Sequence, residues 1–246
     1  MSNNRRFWEI DALRGFALLH MAIFHSMFDL RYFGVDDRFG LKQMSDRFFD
    51  HYSTAIAASF LTLVGVSARV RSQGTATQRL RLSFFLQPLR RVAASAFIVS
   101  VASVLAHTSL PIYFGVLHLI AFSLLLMPFT LRAPRFSAVL GVAFVVVGFS
   151  EPQLHGIVYE WTGLAHNPVR MGDYFPIFPW LGFVWVGAGI ADFILKSPHS
   201  WRWPESWGKQ LWARALSTGG RHTLIIYLVH QPILVGLFWV LGWVRW

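Results

Sequence analysis

The stretch DALRGFALLHMAIFHSMFDL, residues 11–30, decides how the rest of the chain is read. Its length and apolar content are those of a helix that crosses a bilayer, which takes about 20 apolar residues. Yet it carries Asp11, Arg14, His20, His25 and Asp29. Ionisable groups are costly in hydrocarbon, so within a span they normally face a bundle interior or a wet cavity and take part in function. At about 100° and 1.5 Å per residue, Asp11, Arg14, His25 and Asp29 share one narrow face, with His20 on the far side. His20 is therefore read as a packing or helix–helix hydrogen-bonding residue outside the site. Arg14 and His25 lie about 16 Å apart along the axis, so the charged face joins two membrane depths.

The whole chain has the same character. Of 246 residues, 54% are hydrophobic and 14% charged, well above the apolar share of a soluble domain. Apolar runs place seven spans near 9–30, 53–70, 88–106, 112–131, 136–150, 174–195 and 220–243. The fifth, with its short VLGVAFVVVGF core, is also compatible with a re-entrant segment. The expected fold is an all-α polytopic membrane helix bundle of about seven transmembrane helices, forming a single domain over 1–246. The run after Arg5 and Arg6 carries charges and lacks a small-residue cleavage site, so the first helix is expected to remain in the mature protein.

A net charge of +10 raises nucleic acid as a partner, and the placement of the charge argues against it. With the N-terminus inside, the inner segments hold 16 of the 22 Lys and Arg and four of the twelve acids, and the outer segments the other six and eight. That asymmetry is the positive-inside bias of a polytopic protein, and it puts the N-terminus in the cytoplasm. Cysteine is absent, which removes disulfides, thiolate metal sites and a cysteine nucleophile. No metal site is expected. The segment SPHSWRWPESWGKQLWARALSTGG, residues 197–220, mixes four Trp with Lys and Arg and reads as an interfacial stretch on the cytoplasmic face.

Asp29 lies one turn beyond His25, the spacing at which a carboxylate orients an imidazole as a general base. His118 in IYFGVLHLIAF (112–122), and Asp173 and Tyr174 in RMGDYFPIFPW (170–180), fall at the depth of His25. GRHTLIIYLVHQP (220–232) opens the last span with Arg221 and His222, then carries Tyr227, His230 and Gln231 up to Pro232. Tyr227 and His230 share a face at i, i+3. Three histidines at staggered depths describe a lined channel through the bundle. Such residues also build proton relays, so a proton-coupled secondary transporter or channel is the alternative reading. Against it, no pair of broken half-helices marks an inverted repeat. A retinal Schiff base would need a lysine within a span, and Lys42, Lys196 and Lys209 lie in loops or at a helix end.

The segments EIDALRGFALLHMAIFHSMFDLRYFG (9–34), FLTLVGVSARV (60–70), YFGVLHLIAFSLLL (113–126), DYFPIFPWLGFVWVGAGI (173–190) and GRHTLIIYLVHQPIL (220–234) together resemble a known family. It is the bacterial branch of the heparan-α-glucosaminide N-acetyltransferase catalytic-domain family, and Asp-x-x-Arg-Gly at 11–15 is the most specific element. The spacing from Arg14 to His25 is also similar to the Arg-x10-His element of membrane acyltransferase-3 proteins. The resemblance implies a multi-pass acyltransferase of the bacterial cytoplasmic (inner) membrane. It would move an acetyl group from cytosolic acetyl-CoA to an extracytoplasmic acceptor, a glycan hydroxyl or amine. His25 matches the family's helix-1 histidine and Arg14 its arginine. On this reading His25, Asp29 and Asp173 are catalytic, and acetyl-CoA meets Arg14, Arg69, Arg71, His118, Arg221, Tyr227 and His230. The phosphates of coenzyme A would dock where Arg69, Arg71, Arg79, Arg81, Arg90 and Arg91 surround one inner loop, since the guanidinium fork matches phosphate. The chain is shorter than the family's lysosomal enzyme and lacks its luminal domain, so the glycosaminoglycan substrate is not carried over.

Overall fold

The computed structural model describes residues 7–73, 81–105, 110–150, 152–165, 171–197 and 203–243, which form helices and no strand. The helices are α1 (Trp8–Tyr32), α2 (Asp46–Arg71), α3 (Leu82–Leu105), α4 (Val116–Thr130), α5 (Pro134–Phe149), α6 (Ile157–Thr162), α7 (Ile177–Lys196), α8 (Glu205–Gly208), α9 (Leu211–Arg221) and α10 (Thr223–Val240). The protein is an all-α polytopic membrane protein. Each of the seven expected spans coincides with a helix, and four of those helices, α2, α3, α7 and α10, have the length and apolarity of a crossing. Apolar α4 and α5 have only 15 and 16 residues, about 24 Å against a hydrocarbon core of about 30 Å. α1 has 25 residues and carries the charged face. Arg5, Arg6, Arg79, Glu151, Arg170, Trp201, Arg202 and Arg245, which enter the charge and interface readings, lie outside the described residues.

Local chemistry sets the ends. α2 starts seven residues before the apolar run because the Ser45 hydroxyl accepts the Phe48 amide at 3.2 Å and Asp46 occupies the first turn. Both devices stabilise a helix N-terminus.

The chain divides into two compact units, Met1–Phe60 with Arg202–Trp246, and Leu61–Trp201. In the second unit α7 is the central element. A Cβ on Gly187 would overlap the Thr62 carbonyl and one on Gly65 the Val184 carbonyl, so α2 and α7 approach backbone to backbone. Gly141 and Gly182 do the same for α5 and α7. Small residues are the usual means of close helix contact where lipid, as apolar as leucine, gives no hydrophobic drive to associate. Leu61, Leu181, Val184 and Ala188 fill the interior, while Phe97 (69%), Leu105 (70%) and Phe193 (70%) stand exposed. Large apolar side chains turned outward at this level fit a lipid solvent.

In the first unit α1 lies against α9 and α10. Gly15 meets the Leu216 carbonyl, and Gly220 meets that of Asp11. Leu30, Leu41 and Phe238 form a small core that ties the turns after α1 to α10. The expected interfacial stretch contains α8 and α9. Ala213, Ser217 and Gly220 of α9 are buried, whereas Leu211 and Trp212 are exposed, and Trp203 meets Trp8 edge-on at 5.5 Å.

Gly220→Ala is expected to lower the stability of detergent-solubilised protein by about 2 kcal/mol through overpacking. Gly236→Ala, where a Cβ meets nothing within 4 Å, should leave it unchanged or slightly raised. Paired thermal melts test the difference.

Candidate active site

Asp11, His25 and Asp29 of the charged face of α1 meet the two C-terminal helices. Asp11, 3% exposed, accepts from Arg14 Nη1 at 3.2 Å and faces Arg221 Nε of α9 at 3.6 Å. Within one turn of the other end, Gln231 Nε2 of α10 donates to both oxygens of Asp29, each at 3.0 Å. Between these ends the His25 ring lies against that of His230, centroids 4.9 Å apart and planes at 55°. His20 is elsewhere, its Nδ1 2.7 Å from the hydroxyl of Tyr52 on α2, the helix–helix hydrogen bond its position on the helix predicts.

One expected pairing does not form. Among the described residues Asp29 bonds Gln231 and not His25, both carboxylate oxygens accepting from the amide. The partner of His25 is instead a second imidazole, reached from another helix. His230 Nδ1 lies 2.6 Å from the Tyr227 carbonyl. A carbonyl only accepts, so Nδ1 carries the proton and Nε2 presents its lone pair. That Nε2 is buried and has no hydrogen-bond partner, and Gln231 Oε1 is in the same condition. Buried acceptors are normally satisfied, so two of them on consecutive residues mark a place prepared for an N–H or O–H donor. Tyr227 enters through its backbone carbonyl, and its ring stands 5.6 Å from that of His230.

The remaining expected site residues belong to the second unit, where each has a structural partner. Asp173 Oδ2 accepts the Val116 amide at 3.0 Å and so caps α4. His118 Nδ1 accepts the Gly115 amide at 3.2 Å, and Nε2 reaches Ser100 Oγ at 3.2 Å. Both of its ring nitrogens are occupied in holding the start of α4. Arg69 turns inward to Asp192, with Nε at 3.1 Å and Nη2 at 2.8 Å from Oδ1. Lys196 Nζ at 2.9 Å and Arg135 Nε at 3.5 Å approach Oδ2. Arg71 lies over the Phe84 ring at 4.9 Å.

Sequence reasoning missed Asp192 and left Gln231 out of the site. The signals were present: Asp192 and Lys196 are spaced i, i+4 at the end of an apolar run, and an amide adjoins a histidine inside another.

Two imidazoles on facing helices and an oriented, unpartnered ring nitrogen thus lie inside a helical membrane protein. Comparison with known families specifies it further. The family described as Heparan-alpha-glucosaminide N-acetyltransferase, catalytic, matches residues 6–232, and the chain belongs to it. That makes it a member of a membrane acetyltransferase family. No curated protein and no solved structure matches the chain significantly.

Asp192→Asn should destabilise the protein by about 3 kcal/mol, because three cations lose a shared buried carboxylate. Arg71→Ala should cost less than about 1 kcal/mol, the loss of an exposed ring contact. Thermal unfolding of the purified variants in detergent measures both.

Proposed function

We propose that the protein transfers an acetyl group from cytosolic acetyl-CoA to a hydroxyl or amine of an extracytoplasmic glycan, across the inner membrane of a bacterium. The observation that carries this reading is the buried pair His25 and His230, with the unpartnered Nε2 of His230 set as a proton acceptor, in a chain of an acetyltransferase family.

The residues present fit the demands of a thioester donor and a hydroxyl or amine acceptor. Acetyl-CoA supplies the activated acetyl group. His230, with Nδ1–H fixed on the Tyr227 carbonyl, takes the acceptor's proton at Nε2 as the new C–O or C–N bond forms and the C–S bond breaks. The imidazole pair then returns that proton to the departing thiolate. Gln231, fixed by Asp29, turns Oε1 toward a donor N–H or O–H and orients it. Arg14 and Arg221, at the inner end of the same face in the positive-inside orientation, supply positive charge for phosphate.

His25→Ala and His230→Ala should each lower kcat by about 100-fold or more while acetyl-CoA binding persists, since the lost step is proton transfer. Asp29→Asn should lose less, because an asparagine oxygen still accepts from Gln231. His20→Ala should retain nearly full turnover. Acetyl transfer from labelled acetyl-CoA to a periplasmic glycan fraction, with acetyl-CoA binding measured in parallel, is the assay. Full activity of His25→Ala, or equal losses for His20→Ala and His25→Ala, would overturn the reading.

A further inference from the structure

Beyond the histidine pair, the C-terminal end of α1 and the N-terminal end of α2 enclose a cleft of about 360 Å³, lined by Phe28, Arg31, Tyr32, Asp46, Phe49 and Asp50. All six residues belong to the first unit. The volume is that of a site for one small ring rather than for a long chain. Phe28 and Tyr32, one helical turn apart, lie nearly parallel, with planes at 15° and centroids 6.4 Å apart. Phe49 supplies a third ring from α2. Arg31 binds Asp46 at 2.7 Å and lays its guanidinium over Phe49 at 5.0 Å. Asp50, one turn beyond Asp46, is exposed, and among the described residues its carboxylate has no ion pair.

Aromatic residues at a membrane surface are ordinary. Aromatic faces that line a concavity together with carboxylates and a guanidinium are a more specific combination. Rings offer flat apolar surface to the C–H face of a sugar, and the charged groups accept from and donate to its hydroxyls. The lining holds two carboxylates and one guanidinium, and the guanidinium is already committed to Asp46. The uncommitted charge is therefore the negative one on Asp50, which favours a neutral or aminated ring and repels an anionic one.

Phe24, which precedes His25 in α1, has its ring centroid 6.1 Å from that of Phe28, 6.2 Å from that of Phe49 and 5.5 Å from that of His25.

The geometry points to this cleft as a saccharide subsite for the acetyl acceptor, taking a neutral or amino-sugar ring, with Phe28 and Tyr32 as the stacking surface and Asp50 as the polar anchor. The word acceptor rests on the acetyl-transfer reading above; saccharide binding does not.

The experiment uses the purified full chain in detergent and three tetrasaccharides: cellotetraose (neutral), fully deacetylated chitotetraose (amino) and tetragalacturonate (anionic). Binding is read by ligand-observed NMR, and transfer from acetyl-CoA as separate KM and kcat. Cellotetraose and chitotetraose should bind, and tetragalacturonate about tenfold more weakly or not at all. Phe28→Ala with Asp50→Asn should raise the acceptor KM about tenfold while kcat changes by less than about threefold, with acetyl-CoA binding unaltered. Asp50→Lys should shift the preference toward tetragalacturonate. Absence of binding by all three sugars, unchanged binding and KM in the double variant, or no change of charge preference in Asp50→Lys would overturn the cleft assignment. Cleft-dependent binding without acetyl transfer would retain the cleft and remove the transfer reading. Transfer indifferent to cleft substitutions would do the reverse.

Discussion

A carboxylate surrounded by hydrocarbon must be neutralised or hydrogen-bonded, and three buried aspartates in this chain decide which helices meet. Asp11 draws Arg221 of α9 toward α1, Asp29 draws Gln231 of α10, and Asp192 gathers Arg69 of α2, Arg135 of α5 and Lys196. In water such contacts would be minor beside apolar burial. In lipid the tails are as apolar as the side chains, so burial between helices contributes little and close backbone contact with polar pairing contributes most. The glycines follow the same division. Gly15 and Gly220 lie beside the Asp11 contact, and Gly65 and Gly187 one to two turns from the Asp192 cluster. Asp11 and Asp192 are thus accompanied by the small residues that let their partner helices come near.

This constraint explains what was legible in the sequence. Composition and run length sufficed for the helices, since a segment in lipid must satisfy its own backbone hydrogen bonds and has little alternative to a helix. The separation of faces on α1 was legible too, because it follows from 3.6 residues per turn alone: His20 points to Tyr52, while Asp11, His25 and Asp29 meet α9 and α10 and Arg14 pairs with Asp11. Partners across helices were not. Asp29 had a plausible partner one turn away in His25, and nothing in the local pattern ranks it below Gln231, 202 positions away. Asp173 and His118 raise a related ambiguity. A polar residue at a helix start can be a cap or a ligand, and only the third dimension shows the Val116 and Gly115 amides that these two residues accept.

The phosphate-binding reading of the arginines meets the same limit. Positive-inside topology and recognition of a polyanion both demand guanidinium groups at the cytoplasmic ends of helices. Arg69 satisfies a third demand, the neutralisation of Asp192. A cation turned inward to a buried carboxylate contributes less to an external anion than its formal charge implies.

The histidine pair is arranged by a different logic from the charges that frame it. His230 is oriented by a backbone carbonyl one turn earlier in its own helix, so its tautomer depends on no other side chain. Gln231 is held by Asp29 across the helix contact. Between them these two consecutive residues present two buried acceptor atoms, one fixed by α10 itself and the other by the contact between α10 and α1. His25 completes the group from α1. Phe24, the residue before His25, sets its ring near those of His25, Phe28 and Phe49, so the aromatic packing of α1 against α2 begins directly beside the imidazole.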